Sequence, residues 1–305
     1  MSEKRKILVT GTQRSGTTWL GNILSAGRTA GYIHEPFNTT NVQLHNSPIS
    51  IPYQYIDSHI NTKEQNKYSN YLDYFLHPGL RFFCNALSPI KKIDSRYLLP
   101  GYQNYLAKKN SPISIIKDPF ALLSCEWLHK QHDWEVVIII RHPAAFALSM
   151  KEKSWIVTPT VFMNQLDQLD HIYAGYHEMV NSYLAIAKKK DDLIGSSILG
   201  WNLLHIAIDY YRQKFPNWIY LRHEDLSHNP LTAYNKLYDL IGLEYTQDVI
   251  GKVKQSTTGM ATSGVNRDSE KNVLKWKNTL SKEEINRIKE ETFPIWTRFY
   301  GEEDW

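Results

Sequence analysis

Long apolar runs are missing from this chain. Its longest strongly apolar stretch, Val136-Val137-Ile138-Ile139-Ile140, falls far short of the roughly 20 residues that a bilayer-spanning helix requires. Residues 1–6 are polar and lead straight into an apolar strand pattern, without the central apolar stretch and small-residue cleavage site of a secretory leader. Cysteine is scarce, with Cys84 and Cys125 the only 2 in 305 residues. The two could pair, yet so few exclude a disulfide framework and point to a reducing compartment, so the expectation is a cytoplasmic protein. No Ser/Gly/Pro-rich linker, internal repeat or low-complexity tract interrupts the chain, which argues against solenoids and disordered arms and for one domain over 1–305. Charge of one sign is not concentrated either. The net charge of +4 suits an anionic ligand, but Lys and Arg are interspersed with acids, unlike the clustered basic face of a nucleic-acid binder. The group Lys188-Lys189-Lys190 is followed at once by Asp191-Asp192 and reads as a solvated helix end.

What is present is an alternation of short strands and helices. Ile7-Leu8-Val9 ends in Thr10-Gly11, and the stretch to Leu24 has helical spacing with Trp19, Leu20, Ile23 and Leu24 on one side. Residues 31–34 form a second strand candidate, stopped by Pro36. Residues 113–116 and 136–140 are β-branched runs of the kind that is covered on both faces of a parallel sheet, and 218–221 gives a fifth strand. Helical patterns lie at 121–131, 143–151, 161–190, 198–214 and 231–241. This alternation predicts an α/β protein in three layers, a parallel sheet flanked by helices, with ligands at the carboxyl ends of the strands. Residues 38–110 depart from the pattern. Rich in Tyr, Phe, Asn, His and Pro and without a central-strand signature, they are expected to form a mostly helical, aromatic-rich insertion near the site, a candidate acceptor-binding lid.

The chemistry concentrates where strands end. Gly11-Thr12-Gln13-Arg14-Ser15-Gly16-Thr17-Thr18 follows a strand and opens a helix, so its N–H groups and the positive end of the helix dipole can surround a phosphate. Against the triphosphate pattern GxxxxGK[ST], Thr17 occupies the lysine position while a cation, Arg14, stands earlier in the loop. An ATP or GTP enzyme normally needs that lysine together with magnesium. The alternatives are a turn required only for tight strand-to-helix packing and a degenerate nucleotide kinase loop.

The segment GTQRSGTTWL resembles the 5′-phosphosulfate loop of sulfotransferases that use 3′-phosphoadenosine 5′-phosphosulfate (PAPS), whose signature is Arg or Lys followed by Ser-Gly-Thr-Thr or Ser-Gly-Ser-Ser. Arg14 in place of lysine is closer to the carbohydrate and bacterial branch than to the cytosolic aryl and steroid branch. The resemblance implies a P-loop-type fold with Thr12, Gln13, Arg14, Ser15, Gly16, Thr17 and Thr18 holding the donor. The transferred sulfuryl group carries less charge than a phosphoryl group, so a guanidinium and loop amides can stabilise the leaving phosphate without a metal. Arg141 after the strand and Ser149 eight residues later resemble the family's 3′-phosphate element, and an arginine fork with a hydroxyl suits that group. The other reading is an ordinary helix start with a surface serine. Gly264-Val265-Asn266-Arg267 before Trp276-Lys277-Asn278 is similar to the region that brings a basic loop over the nucleotide. Its spacing departs from the cytosolic Arg-Lys-Gly form, so Arg267 stands as a third phosphate contact or a solvated arginine, and Trp276 reads as core.

Transfer to an alcohol requires a base for its proton. Glu35 in His34-Glu35-Pro36 is the candidate, and a Glu-Pro here resembles the carbohydrate and bacterial branch. His34 is its competitor, since imidazole serves as base in the cytosolic branch, and strand alternation predicts that only one of the two reaches the acceptor. Glu35 could instead be a structural partner. Lys117 could polarise the acceptor or balance donor charge, and Asp118 could cap the next helix. Arg222-His223-Glu224-Asp225-Leu226 resembles the family's Tyr-Glu-Asp-Leu segment and reads as structural. The aromatics Tyr53, Tyr55, Tyr68, Tyr71, Tyr74, Phe82, Phe83, Tyr97 and Trp155 suit a sugar or lipid-linked glycan, or form a small core of their own. The expectation is therefore PAPS-dependent sulfuryl transfer to a hydroxyl of a carbohydrate, glycolipid or small molecule, with adenosine 3′,5′-bisphosphate as product and no metal. A metal-dependent P-loop small-molecule kinase and a noncatalytic nucleotide-binding protein are the alternatives.

Overall fold

The computed structural model describes residues 4–27, 29–39, 47–76, 111–186, 192–257 and 272–305. Strands β1 (Arg5–Gly11), β2 (Ala30–His34), β3 (Ile113–Lys117), β4 (Glu135–Ile140) and β5 (Ile219–Arg222) form one sheet in the order β2-β3-β1-β4-β5, every pairing parallel. All five strands expected from the sequence are there, their ends moved by one or two residues. The helices are α1 (Thr17–Leu24), α2 (Thr62–Leu76), α3 (Cys125–His132), α4 (Pro143–Lys151), α5 (His177–Ile186), α6 (Leu193–Lys214), α7 (Pro230–Leu240), α8 (Gln247–Thr257) and α9 (Lys282–Glu291), with shorter turns between them.

The pleat of wholly apolar strands creates two cores. Ile7, Val9, Ile115, Val137 and Ile139 join Trp19, Leu20, Ile23 and Leu24 of α1 and residues of α7 and α8 on one face. Leu8, Ile116, Val136, Ile138 and Ile140 join α3, α6 and Phe146 of α4 on the other. Alternation with period two thus buries both faces, giving three layers. Tyr53 and Tyr71 belong to the second core, with Tyr55 and Tyr68 packed against it, so part of the insertion's aromatic set is structural. Phe82, Phe83, Tyr97, Cys84 and residues 188–190 lie outside the described residues.

Two helix expectations need correction. The pattern over 161–190 is broken into Thr160–Met163, Leu166–Leu169 and α5, with Gly175 at φ 83 between them, a left-handed turn that a helix cannot pass. The pattern over 121–131 begins as a 3₁₀ turn, Pro119–Ser124, before α3. Asp118 caps that turn by accepting the Phe120 N–H at 2.9 Å, with Pro119 where a missing N–H does no harm. Among the described residues no helix is long and apolar enough to cross a membrane.

Candidate active site

The carboxyl ends of the strands converge on the loop after β1. Gly11 has φ 148, and a Cβ there would lie 2.3 Å from the Ile139 carbonyl oxygen of β4. Gly16 has φ 104, and a Cβ would meet the His223 ring at 2.6 Å. Both positions therefore require glycine on two counts, backbone conformation and close approach. Arg14 between them is left-handed at φ 65. The turn closes on itself through Ser15, whose N–H and hydroxyl both donate to the Thr12 carbonyl at 3.2 and 2.6 Å. Helix α1 starts after Gly16 with no side-chain cap, which leaves the helix end suited to an anion. The buried Thr10 and Thr12 hydroxyl oxygens have no hydrogen-bond partner among the described residues, an arrangement that invites a ligand.

Arg141 and Ser149 come to the same place. The Arg141 guanidinium donates to the Arg14 carbonyl at 2.7 Å, and Arg14 Nε donates to Ser149 Oγ at 2.9 Å. The Arg14 guanidinium also lies 5.3 Å from the centre of the Trp155 ring, a cation over an aromatic face. Ser149 is buried, not a surface residue at an ordinary helix start. A cavity beside it is lined by Arg141, Ser149, Glu152, Lys275 and Trp276. Trp276 is itself buried and stacked on His142, ring centres 4.8 Å apart, the core position expected of it. Arg267 lies outside the described residues.

The ends of β2 and β3 build an acid and base cluster. Their register sets His34 beside Lys117. Lys117 is 1% exposed, and its Nζ is ion-paired with Glu35 Oε1. Glu35 Oε2 accepts from the Asn38 side chain. Burial alone would raise the Glu35 carboxyl, but the Lys117 hydrogen bond and charge, with Asn38, hold it below the ordinary carboxylate value. Asp118 is fully buried and pushed up to about 8 by desolvation, against the N–H groups of Phe37 and Phe120 that it accepts. His34 is pushed down by burial and by the Lys117 charge.

Strand alternation does not separate His34 from Glu35 as expected. Glu35 lies one residue past the end of β2 at φ 46, its N–H bonded to the Lys117 carbonyl at 2.8 Å. The left-handed turn rotates its side chain back, so that Glu35 Oε2 is 3.8 Å from His34 Nε2.

Three contacts of the site were not foreseen from the sequence. Tyr53, 40 positions away, accepts the Gln13 N–H at 2.9 Å. Lys275 lines the cavity next to Arg141 and is ion-paired with Glu152. Glu224 accepts the His142 N–H at 3.0 Å and the Tyr300 hydroxyl at 3.0 Å, which gives the segment after β5 the structural role expected of it. Each depends on contacts between distant segments that no local pattern encodes.

Residues 4–293 match the family model described as the sulfotransferase domain. The chain belongs to the sulfotransferase family. Among solved structures, the sulfotransferase domain from the curacin biosynthetic pathway is similar at 13% identity and TM-score 0.46, covering 95% of this chain and 97% of that one. The sulfotransferase domain from the Synechococcus PCC 7002 olefin synthase is similar at 12% identity and TM-score 0.48, covering 99% and 98%. No curated protein matches the chain in sequence. As a sulfotransferase, the chain moves a sulfuryl group to a hydroxyl-bearing acceptor.

Proposed function

We propose that this sulfotransferase uses PAPS as donor and a hydroxyl of a carbohydrate, glycolipid or small molecule as acceptor, releasing adenosine 3′,5′-bisphosphate. The observation that carries the reading is the meeting of Arg14, Arg141 and Ser149 within hydrogen-bond distance at the mouth of an uncapped helix. Two guanidinium groups, loop N–H groups and the orphaned Thr12 hydroxyl are the donor set that a doubly phosphorylated nucleotide calls for. Residues 12–18 would hold its 5′-phosphosulfate end, and Arg141 with Ser149, joined by Arg267 on the strength of the motif, its 3′-phosphate. PAPS, when bound, supplies the activated sulfuryl group.

Within that arrangement Glu35 accepts the acceptor hydroxyl's proton as the new oxygen to sulfur bond forms. Arg14 and the loop N–H groups offset the charge left on the 5′-phosphate oxygen as the old bond breaks. Lys117 keeps Glu35 ionised, and Asp118, through the Phe37 and Phe120 N–H groups, fixes the turn that carries it. The insertion over 38–110 serves as the acceptor-binding lid. The test is a thermal-shift comparison of adenosine 3′,5′-bisphosphate with ATP, each with and without magnesium. At about 100 times its Kd the bisphosphate stabilises by about 2.7 kcal/mol, a rise of roughly 4 °C for a chain of this length, independent of magnesium. A larger rise with magnesium and ATP would instead establish the kinase reading.

A further inference from the structure

We propose that Tyr53 is a positioning residue for the transfer: its hydroxyl, set against the Gln13 N–H, holds the phosphate loop in the conformation that presents Arg14. The functional meaning of this rests on the donor reading above; its geometry does not.

The Tyr53 side chain is buried, its ring packed against Phe120 and Phe162 with centres 5.2 and 6.4 Å away. A phenylalanine would fill the same space without a hydroxyl to desolvate. The hydroxyl's partner is the loop, 2.9 Å away at the Gln13 N–H. The Tyr53 backbone is left-handed at φ 53, an outlier for a bulky side chain, and a buried glutamine holds it there. Gln165 Nε2 donates to the Tyr53 carbonyl at 3.0 Å and the Val161 carbonyl at 2.9 Å, while Gln165 Oε1 accepts the Tyr55 N–H at 2.8 Å. Strain persists only where its surroundings over-determine it, and such places cluster at functional sites.

The loop side mirrors this arrangement. Arg14, next to Gln13, is left-handed at φ 65, which is not an arginine's own preference. Its carbonyl accepts from Arg141 at 2.7 Å. The dipeptide Gln13-Arg14 is thus held at its N–H by Tyr53 and at its C=O by Arg141. Releasing the first hold lets the backbone relax toward the right-handed region and draws Arg14 Nε from Ser149. Gln165 and Tyr53 therefore tie the segment over 47–76 to the donor loop.

Tyr53→Phe keeps the ring and removes the hydroxyl. The expected results are a bisphosphate Kd raised about 3- to 10-fold by calorimetry, as the loss of one net hydrogen bond gives, a matching rise in the donor KM, and an unchanged acceptor KM. Hydrogen exchange of the ligand-free protein should speed up at residues 12–18 and not in β4. Gln165→Leu should reproduce the loop effect from further away. An unchanged bisphosphate Kd with unchanged loop exchange, or donor and acceptor KM rising together, would overturn the proposal. If the wild-type protein binds no bisphosphate, the donor reading fails, and loop exchange in Tyr53→Phe alone decides this one.

Discussion

Glu35 is subject to opposing influences, and their balance sets a pH profile. Burial favours the protonated acid, whereas the Lys117 ammonium and the Asn38 amide favour the carboxylate and prevail, so its pKa lies below the ordinary 4.5. A carboxylate held down in this way serves as a base at every pH above its lowered value and is lost only as pH falls through it. The kcat/KM profile of the wild-type enzyme should therefore lack an acid limb between neutrality and pH 4.5. In Lys117→Met the half-buried carboxyl keeps its desolvation and loses its cation, and a limb should appear, shifted up by about 1–3 pH units. Glu35→Gln, in the same assay, should lose about 10²- to 10⁴-fold in kcat while bisphosphate affinity holds. A Lys117→Met profile that overlays the wild type would sink this account. A fully active Glu35→Gln would transfer the role to water or to His34, whose Nε2 is 3.8 Å from the carboxylate.

At the scale of the element, the strand, loop and helix of 5–24 were legible because every signal for them is local: an apolar run, two glycines, an amphipathic turn. Gly16 shows how much of that signal is tertiary in origin. Its φ of 104 belongs to the loop itself, but the His223 ring 2.6 Å from a would-be Cβ comes from the segment after β5, so the glycine that reads as part of a motif is enforced by packing as well. Gly16→Ala should cost about 1–3 kcal/mol in denaturant unfolding and abolish the bisphosphate thermal shift; an alanine variant of wild-type stability and affinity would show that the loop tolerates a side chain. The broken helix over 161–190 was not legible, because its period is genuine in three separate pieces and Gly175 alone does not announce a reversal. Gln165 in that region clamps Tyr53, more than 100 positions away, and no sequence pattern records such a contact.

On the scale of the whole molecule, the C-terminal segment locks the turns that carry the site. Arg222, at the end of β5, forks onto Asp304 at 3.2 and 2.6 Å, and Trp305 packs edge-on to His142, ring centres 4.5 Å apart. Glu224 is the junction, fully buried, with one oxygen on the His142 N–H beside Arg141 and the other on Tyr300. The sequence offered the acidic segment but not its partner, since Tyr300 is 76 positions away. Tyr300→Phe leaves one Glu224 oxygen buried without its donor, which costs about 1–3 kcal/mol and is read by denaturant unfolding at neutral pH. Burial already raises the Glu224 pKa, and the lost hydrogen bond, which favours the ionised form, raises it further. A carboxyl with a raised folded pKa is most compatible with folding when protonated, so the deficit should shrink as the pH is lowered toward the acid range. The Glu224 oxygen on His142 is untouched, so bisphosphate affinity should change less than about twofold. A deficit that is the same at every pH would mean that the Tyr300 hydroxyl does not act through the ionised Glu224, so that the buried carboxylate is not the junction described, and no deficit at all would mean that Tyr300 stabilises through its ring alone.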